Sequence, residues 1–333
     1  MSRRWGPFLC LYCGGREPSA RSSLAHIFPD VLGGVRACDD TTCLRCNGIT
    51  NREVEQEAGT RLAAFRSMWG VPNRRGSGAK VKALVRGPGF AESIRVTDPS
   101  FIQEAITRSN AGQGEAQYIV VGPADAVERK VAEISQMRPE VAWRGADVQV
   151  ETSVAIESHP DAPVFLRLAT KIALERLADV RGPTFAREPE FADARDFALT
   201  GSSARVVAGC LADPRWVGMG APLAFPIPLH AVGLVGQPED RVLGAVVVLF
   251  GLYTYWVILS DTYYGLAPWD DLLCENPVTQ ATDQPLLRTG TSHLRLPWRD
   301  WRHAPVTLPD HLRRVQTDHV MRKLQASADA HYG

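Results

Sequence analysis

Four cysteines near the N-terminus are spaced as metal ligands. Cys10 and Cys13 stand in CLYC, Cys43 and Cys46 stand in CLRC, and twenty-nine residues separate the two pairs. Two residues between paired cysteines let both sulfur atoms face one point, and four thiolates complete a tetrahedral zinc shell. Because such a closed shell leaves no position for a substrate, the predicted zinc ion is structural. The alternatives are four unrelated buried thiols or a redox pair, and a redox pair lacks its usual βαβ context here.

His26 lies between the two cysteine pairs and is the only histidine among the first 158 residues. Hydrolysis of a phosphodiester requires an activated water, and a histidine with a near-neutral pKa is the usual general base. One hard divalent ion with oxygen ligands, such as Mg²⁺ or Mn²⁺, can neutralise the charge that builds on the phosphate. Asn47 directly follows the second pair and could supply such an oxygen. The alternative for a single histidine is a hydrogen-bonded structural residue.

The segment between the pairs reads SLAHIFP and then VLGG, and Asn47 opens a helical pattern. A histidine in an H-I-x-P…L-G-G hairpin, held between two Cys-x-x-Cys knuckles and followed by C-x-x-C-N, resembles the HNH endonuclease family in its zinc-stapled form. The resemblance covers about residues 8–75 and implies a ββα-metal fold with metal-dependent nuclease activity. It implies that His26 is the general base, that Asn47 is a metal ligand, and that Asp40 stands near the asparagine that fixes the hairpin. A role in restriction or defence is implied by this resemblance alone.

Ala25 departs from the family pattern. Many members carry Asp, Glu or His directly before the base, whereas an alanine side chain offers a metal no donor atom. Another oxygen could replace the missing ligand, and the candidates are Glu53, Glu55, Asp39 and Asp40. Glu53 is the predicted substitute because it lies just inside the helix that follows Asn47, although a glutamate on a helix surface is more often simply solvated. The metal could instead be weakly held, or the module could bind nucleic acid without cutting it.

The basic residues of the chain are concentrated at its N-terminus. The formal net charge is +0, but residues 1–90 contain 14 Lys and Arg against 7 Asp and Glu, and the remainder contains 23 against 30. Neutralising phosphates is the main source of affinity for nucleic acid, so this surplus fits a nucleic-acid partner, with DNA as the expected one. The alternative for each residue is an ordinary solvated surface. The candidate contact residues are Arg36, Arg45, Arg52, Arg74, Arg75, Lys80 and Lys82.

The length of 333 residues predicts two or three domains. The predicted fold class is α+β, with a small zinc-bound ββα-metal module at residues 1–75 that ends in the turn-rich stretch VPNRRGSGAKVK. A mixed α+β region with helices follows at 76–203, and a β-rich region that ends in a helix occupies 204–333. Helical patterns cover about residues 48–68, 124–137, 164–180, 190–201 and 310–326, and strand patterns cover about 116–122 and 147–156.

Two patterns predict how the later segments pack. Residues 164–180 place Leu168, Ile172 and Leu177 on one apolar helix face. Residues 242–259 form an uncharged run at the lower length limit for a membrane span. Their content of Val, Tyr and Phe and their two glycines favour two buried strands instead, and Gly236–Asp240 predicts a turn before them. We therefore expect an antiparallel sheet and no membrane.

Cysteine usage predicts a reducing, cytoplasmic location. Residues 1–7 lack the apolar core of a secretory signal, and the number of cysteines is odd. Cys38, Cys210 and Cys274 are then plain thiols. The C-terminal region could contact a protein partner or a second copy of the chain, and its run Trp298–Arg302 could stack on a ligand, although local packing is the simpler interpretation.

Three functions fit these patterns. The leading one is a metal-dependent endonuclease that hydrolyses phosphodiester bonds. The second is a catalytically inactive zinc-dependent protein that binds nucleic acid or acts as a scaffold, in which Ala25 marks a lost site. The third assigns an enzyme or sensor to the C-terminal half, but no Gly-rich phosphate loop, G-x-S-x-G or H-E-x-x-H motif supports a second active centre.

Overall fold

The structure is a computed structural model of the chain. It describes residues 8–15, 22–72, 81–87, 90–96, 106–110, 117–121, 124–139, 149–151, 161–203, 207–210, 228–265, 269–279 and 281–283. The predicted tail helix at 310–326, the run Trp298–Arg302 and the basic candidates Arg74, Arg75 and Lys80 lie outside these residues. The chain divides into two compact units, residues 1–62 together with 157–333, and residues 63–156.

A hairpin and the helix that follows it build the N-terminal part of the first unit, which confirms the predicted ββα order. β1 is Ser22–His26, β2 is Ala37–Cys43, α1 is Leu44–Thr50, a π-helical turn is Asn51–Glu55, and α2 is Gln56–Arg61. The two strands are antiparallel. The sequence predicts that the helix begins near Gly48, but it begins at Leu44. The earlier start arises because the Cys43 sulfur accepts the Cys46 N–H and caps the first turn.

The loop between β1 and β2 requires glycine at two successive positions. A 3-10 turn at Asp30–Leu32 ends at Gly33, whose φ of 85° lies in the left-handed region. A Cβ atom on Gly34 would stand 1.8 Å from the carbonyl oxygen of Phe28. The Leu-Gly-Gly sequence therefore lets the chain fold tightly back beside the end of β1, where His26 lies.

The described residues of the second unit form two small antiparallel sheets and two helices. Its elements are α3 (Ala63–Met68), β3 (Val81–Gly87), β4 (Phe90–Val96), β5 (Ile106–Asn110), β6 (Gln117–Val121), α4 (Ala124–Met137) and β7 (Gln149–Glu151). One sheet has the strand order β4-β3-β7, and β5 pairs with β6 in the other. The predicted helix at 124–137 is confirmed, and the predicted strands at 116–122 and 147–156 correspond to β6 and the shorter β7.

Among the described residues of the first unit, six antiparallel strands form one sheet. Its strands are β8 (Ala208–Cys210), β9 (His230–Gln237), β10 (Val242–Leu249), β11 (Tyr253–Ser260), β12 (Trp269–Asn276) and β13 (Ala281–Asp283). The strand order is β13-β12-β9-β10-β11-β8. The prediction that the apolar run at 242–259 forms two buried strands is confirmed. The chain turns between them at Phe250 and Gly251, whose φ values are 55° and 70°. Among the described residues, no helix is both long and apolar enough to cross a membrane.

The helix α5 (Pro163–Arg181) lies between this sheet and the N-terminal hairpin and helix. A shorter helix, α6 (Ala192–Thr200), packs beside it. The sequence predicts a single apolar face on α5, but the helix is buried on all sides, including the side that carries Lys171 and Glu175. The predicted helix and the burial of Leu168, Ile172 and Leu177 are confirmed, and the polar side is buried as well because it faces the hairpin and its helix.

The two compact units differ from the three segments 1–75, 76–203 and 204–333 that the sequence predicts. The difference arises because α5 contacts both the N-terminal helix and the strands β8, β9, β10 and β11. The N-terminal module, α5 and the large sheet therefore share one core, and the intervening residues 63–156 form the separate unit.

Candidate functional site

The four predicted cysteine ligands converge at one point. The sulfur atoms of Cys10, Cys13, Cys43 and Cys46 all lie within 4.8 Å of one another. Sulfur atoms on a tetrahedral zinc ion, with Zn–S bonds of about 2.3 Å, are roughly 3.8 Å apart, and Cys13 Sγ lies 3.8 Å from Cys43 Sγ. The cluster therefore fits a structural metal site of the kind that zinc occupies.

Backbone N–H groups surround these sulfur atoms. Gly15 N donates to Cys13 Sγ and Cys43 N donates to Cys10 Sγ, each at 3.4 Å, and Cys46 N donates to Cys43 Sγ at 3.5 Å. Donors to sulfur favour the charged thiolate, which is the form that binds metal. Thiolates aimed at one point and supported by backbone donors are what the structural site requires.

The body of the protein also holds the first cysteine pair. Arg187, in a 3-10 turn after α5, donates from Nη1 to the carbonyl oxygens of Leu11 at 3.2 Å and Tyr12 at 2.7 Å. Its guanidinium also lies close against Gly14, where a Cβ atom would meet Arg187 at 2.8 Å. The turn between Cys10 and Cys13 is thus built against residues far away in the sequence.

His26 is the last residue of β1 and is half-buried. In the same strand Leu24 is exposed and Ala25 is buried, so the alternation of a strand places His26 on the face of Leu24. Ala25 is only 1% exposed, and its methyl group lies in the interior. The Ala25 side chain therefore lacks a donor atom for a metal and also points away from the exposed face of the strand.

Asn47 connects α1 to the strand that carries His26. Its Nδ2 donates to Ser23 Oγ at 2.8 Å and to the carbonyl oxygen of Leu24 at 3.3 Å. Among the described residues, the amide oxygen of Asn47 accepts no hydrogen bond. The structure thus brings Asn47 to β1 two residues before His26, with an oxygen available to a divalent ion.

Asp40 lies in a bulge of β2. Ser23 pairs with Thr42 and Ala25 pairs with Cys38, so residues 39–41 stand opposite the single residue Leu24. Bulges of this kind redirect side chains and are frequent beside active sites. The bulge places the backbone of Asp40 across from the residue whose carbonyl Asn47 contacts, and the side chain of Asp40 is half-buried.

Glu53 and Glu55 both pair with cations of α5. Glu53 Oε2 lies 3.2 Å from Arg167 Nη2, and Glu55 Oε1 lies 3.0 Å from Lys171 Nζ. A divalent ion at either carboxylate would have to compete with that cation. Asp40 is an acidic candidate on positional grounds, because its bulge lies opposite Leu24, the residue whose carbonyl oxygen Asn47 contacts.

The basic candidates fall in several places. Arg36 Nη2 lies 3.0 Å from Asp179 Oδ1 on α5, so its charge is already paired. Arg45, between the second pair of cysteines, and Arg52 are exposed. Lys82 belongs to β3 of the second unit, whose backbone alone is described. Of the candidates in the first unit, Arg45 and Arg52 offer the most accessible charge.

Glu275 on β12 binds the loop that follows His26, and no sequence pattern pointed to this residue. Its two carboxylate oxygens accept the N–H groups of Val35 at 2.8 Å and Arg36 at 2.7 Å. Burial raises the pKa of Glu275, and these two donors oppose that shift. A single acidic residue in a strand gives no sequence signal for such a contact, because its partners lie 240 and 239 residues away.

His230 on β9 holds the same loop and was likewise not predicted. The ring stacks on Phe28 at 5.1 Å between centroids and lies against Phe250 at 4.5 Å. Nδ1 accepts the N–H of Phe250 at 3.2 Å, so Nε2 carries the proton and donates to the carbonyl oxygen of Leu32 at 3.0 Å. Burial lowers the pKa of His230 to about 4, although the Leu32 carbonyl opposes the shift. The imidazole is therefore neutral near pH 7.

This neutral histidine predicts a pH dependence of stability. Between about pH 4 and 6.5 the unfolded chain binds a proton at His230 that the folded chain does not, so stability should rise with pH across this window. The shift corresponds to about 3 kcal/mol, fully present above pH 6.5 and lost as the pH falls toward 4. Urea unfolding midpoints at pH 4.5–7 should rise more steeply for the native chain than for His230→Gln, and equal slopes would refute this role.

Comparison with known proteins agrees with the N-terminal geometry. Residues 10–63 match the family model described as HNH endonuclease. The match confirms the resemblance for this segment and indicates a nuclease-type function that involves nucleic acid. No curated protein and no solved structure shows a significant match to the chain. The matched segment contains the four cysteines, His26 and Asn47, whereas α5 and the large sheet lie outside it.

Proposed function

We propose that the chain is a metal-dependent endonuclease that hydrolyses phosphodiester bonds, with DNA as its substrate. The observation that carries the proposal is the contact of Asn47 with β1 at Ser23 and Leu24, three and two residues before His26. This contact joins the proposed base to the proposed metal ligand inside the segment that matches the family model. The adjacent four-cysteine cluster supports it, because a structural metal there would hold the hairpin against the helix.

His26 acts as the general base in this proposal. Its ring nitrogen takes a proton from a water molecule, and that water then attacks the phosphorus in line with the leaving oxygen. His26 is half-buried at the end of β1, so part of the residue reaches the surface of the hairpin. The backbone on both sides of the ring is held by the hairpin and by α5, which keeps the base in a defined position.

Asn47 and Asp40 are the proposed oxygen ligands of the catalytic ion. Mg²⁺ and Mn²⁺ prefer oxygen donors, and Mg²⁺ is often held by only one or two carboxylates together with substrate phosphates. Such an ion would supply positive charge at the scissile phosphate. Since Ala25 contributes nothing, we expect the ion to be held weakly until nucleic acid binds. Arg45 and Arg52 are proposed to contact the flanking phosphates.

The test is cleavage by the zinc-loaded chain with Mg²⁺, Mn²⁺ or EDTA. Supercoiled plasmid, single-stranded circular DNA and structured RNA serve as parallel substrates, and zinc content is measured after each incubation. We expect the plasmid to be cut with Mg²⁺ or Mn²⁺, and cutting to stop in EDTA before zinc is lost. Cutting of RNA alone would refute DNA as the substrate, and the absence of cutting from every zinc-loaded sample would refute the nuclease.

An inactive protein that binds nucleic acid is the second candidate. The specific observations in its favour are the buried methyl group of Ala25 and the pairing of Glu53 and Glu55 with cations of α5, because both reduce the set of metal ligands. A gel shift in the same samples separates the two functions. Salt-sensitive binding without cutting would favour this candidate.

A further inference from the structure

A buried lysine contacts the backbone of the proposed base. Lys171 lies in the middle of α5 and its side chain is 0% exposed. Its ammonium donates to the carbonyl oxygen of His26 in a close contact and to that of Ile27 at 3.4 Å. These two carbonyls belong to the residues at which β1 ends. The lysine therefore holds the peptide groups that set the direction of the His26 side chain.

Two carboxylates balance the charge of this lysine. Lys171 Nζ lies 3.0 Å from Glu55 Oε1 and 2.9 Å from Glu175 Oε2. Burial would lower the pKa of Lys171, but the two carboxylates outweigh burial and raise it. Burial raises the pKa of Glu175 to about 7, and Lys171 opposes that shift. The ammonium is therefore charged and lies within ion-pair distance of two carboxylates.

These contacts link four parts of the first unit. Glu55 lies in the π-helical turn that continues the helix of Asn47, and Glu175 lies one turn after Lys171 on α5. Tyr12, between the first pair of cysteines, donates from its hydroxyl to Glu175 Oε1 at 3.4 Å. One buried cation thus connects the end of β1, the helix of Asn47, the first cysteine pair and α5.

Packing alone does not explain this arrangement. A buried ion pair contributes little net stability, because the cost of removing both charges from water offsets most of their attraction. Apolar side chains of similar volume in place of the pair often give an equally stable protein. The lysine instead fixes the relative positions of two elements, because its ammonium contacts the carbonyl oxygens of two successive hairpin residues and a carboxylate on the opposing helix. A displacement of about 1 Å in an active site can cost about 10²-fold in rate.

We infer that Lys171 is a positioning residue of the nuclease site, which fixes the His26 peptide relative to the helix that carries Asn47. Lys171 lies outside the segment that matches the family model, so the module needs α5 to complete its site. This inference rests on the proposed function, because the effect on rate requires that His26 be the base.

The test compares changes at two buried cations, one beside the hairpin and one away from it. Lys171→Met/Glu175→Gln removes the ammonium and one carboxylate charge together while keeping similar volumes. Arg195→Met is the control, because Arg195 is also a buried cation that donates to two carbonyls, those of Ala186 at 2.8 Å and Glu188 at 3.0 Å, and neither belongs to the hairpin. Both full-length proteins are loaded with zinc and studied at a temperature at which they remain folded.

Two measurements are made on each protein. In plasmid cleavage, the Lys171 variant should lose more than tenfold in kcat, while KM and zinc content stay unchanged and Arg195→Met keeps its kcat. In amide hydrogen exchange, the peptides that cover residues 26–28 should exchange faster in the Lys171 variant and at the native rate in the control. The split between kcat and KM is the readout that a purely structural role would not produce.

The outcomes separate this inference from the proposed function. Unchanged kcat in the folded Lys171 variant would overturn the positioning role, whether or not exchange increases. Equal losses of kcat in both variants would overturn it as well. If the native chain cuts no substrate, the proposed function fails, and faster exchange at residues 26–28 in the Lys171 variant alone would still support its hold on the hairpin.

Discussion

Replacing His26 with alanine should slow metal-dependent cleavage by about 10²–10⁴-fold, the range that a general base contributes. The side chain is half-buried at the end of β1, so its removal should leave the fold and the zinc content intact. The rate is measured on plasmid DNA under single-turnover conditions, with zinc content and the urea unfolding midpoint determined for each sample.

Glu57→Ala provides a matched control for this change. Glu57 lies within the same family-matched segment, but its side chain is 49% exposed and pairs with Arg61 on the surface of α2. Exposed pairs of this type contribute little, so the control should cut at the native rate. Native-like cutting by zinc-loaded His26→Ala would remove His26 from the mechanism.

Replacing Cys46 with serine should abolish stoichiometric zinc binding and destabilise the hairpin. Structural zinc in small zinc-binding peptides contributes about 10–16 kcal/mol of apparent free energy, and loss of one thiolate sacrifices a large part of this. The Cys43 sulfur is both a member of the cluster and the acceptor that caps the first turn of α1, so the start of α1 should loosen when the metal is lost. We expect about one zinc per native chain, much less in the variant, and a lower unfolding temperature.

Cys38→Ala is the control for the zinc site. Cys38 is another buried cysteine, located in β2, but it is not part of the four-sulfur cluster. Burial raises its pKa, so it remains a protonated thiol at neutral pH. The control should therefore keep its zinc. Native zinc content and stability in Cys46→Ser would contradict the structural metal site.

The sequence predicts the features that depend on local spacing. The cysteine pairs need only two intervening residues to present both sulfurs, and the four atoms converge as expected. The run at 242–259 has the composition of strands and forms β10 and β11. His26 and Asn47 are found from their places relative to the cysteines, and the structure brings Asn47 to the strand of His26.

Features that depend on distant partners could not be predicted in this way. Lys171 and Glu175 look like the polar side of an amphipathic helix, because nothing near them in the sequence indicates that Glu55 and the His26 carbonyl lie above them. For the same reason Glu53 is predicted as a metal ligand, whereas its carboxylate pairs with Arg167 at a separation of 114 residues. The two compact units differ from the three predicted segments because α5 packs against both the N-terminal module and the large sheet.

These long-range contacts change how the module should be understood. Four side chains from outside the matched residues form hydrogen bonds with the hairpin or the first cysteine pair, and they are Lys171, Glu275, His230 and Arg187. A small hairpin with a four-cysteine cluster therefore shares its core with a sheet and a buried helix. The proposed site is consequently a property of the whole first unit.

Chemical rescue tests the role of His26 as base most directly. Imidazole is added to zinc-loaded His26→Ala, and to Asn47→Ala as the comparison, and plasmid cleavage with Mn²⁺ is followed as a function of imidazole concentration. If His26 accepts the proton from water, imidazole should restore part of the lost rate in His26→Ala and none in Asn47→Ala. A rate in His26→Ala that does not respond to imidazole, or an equal response in both variants, would contradict the assignment of His26 as the general base.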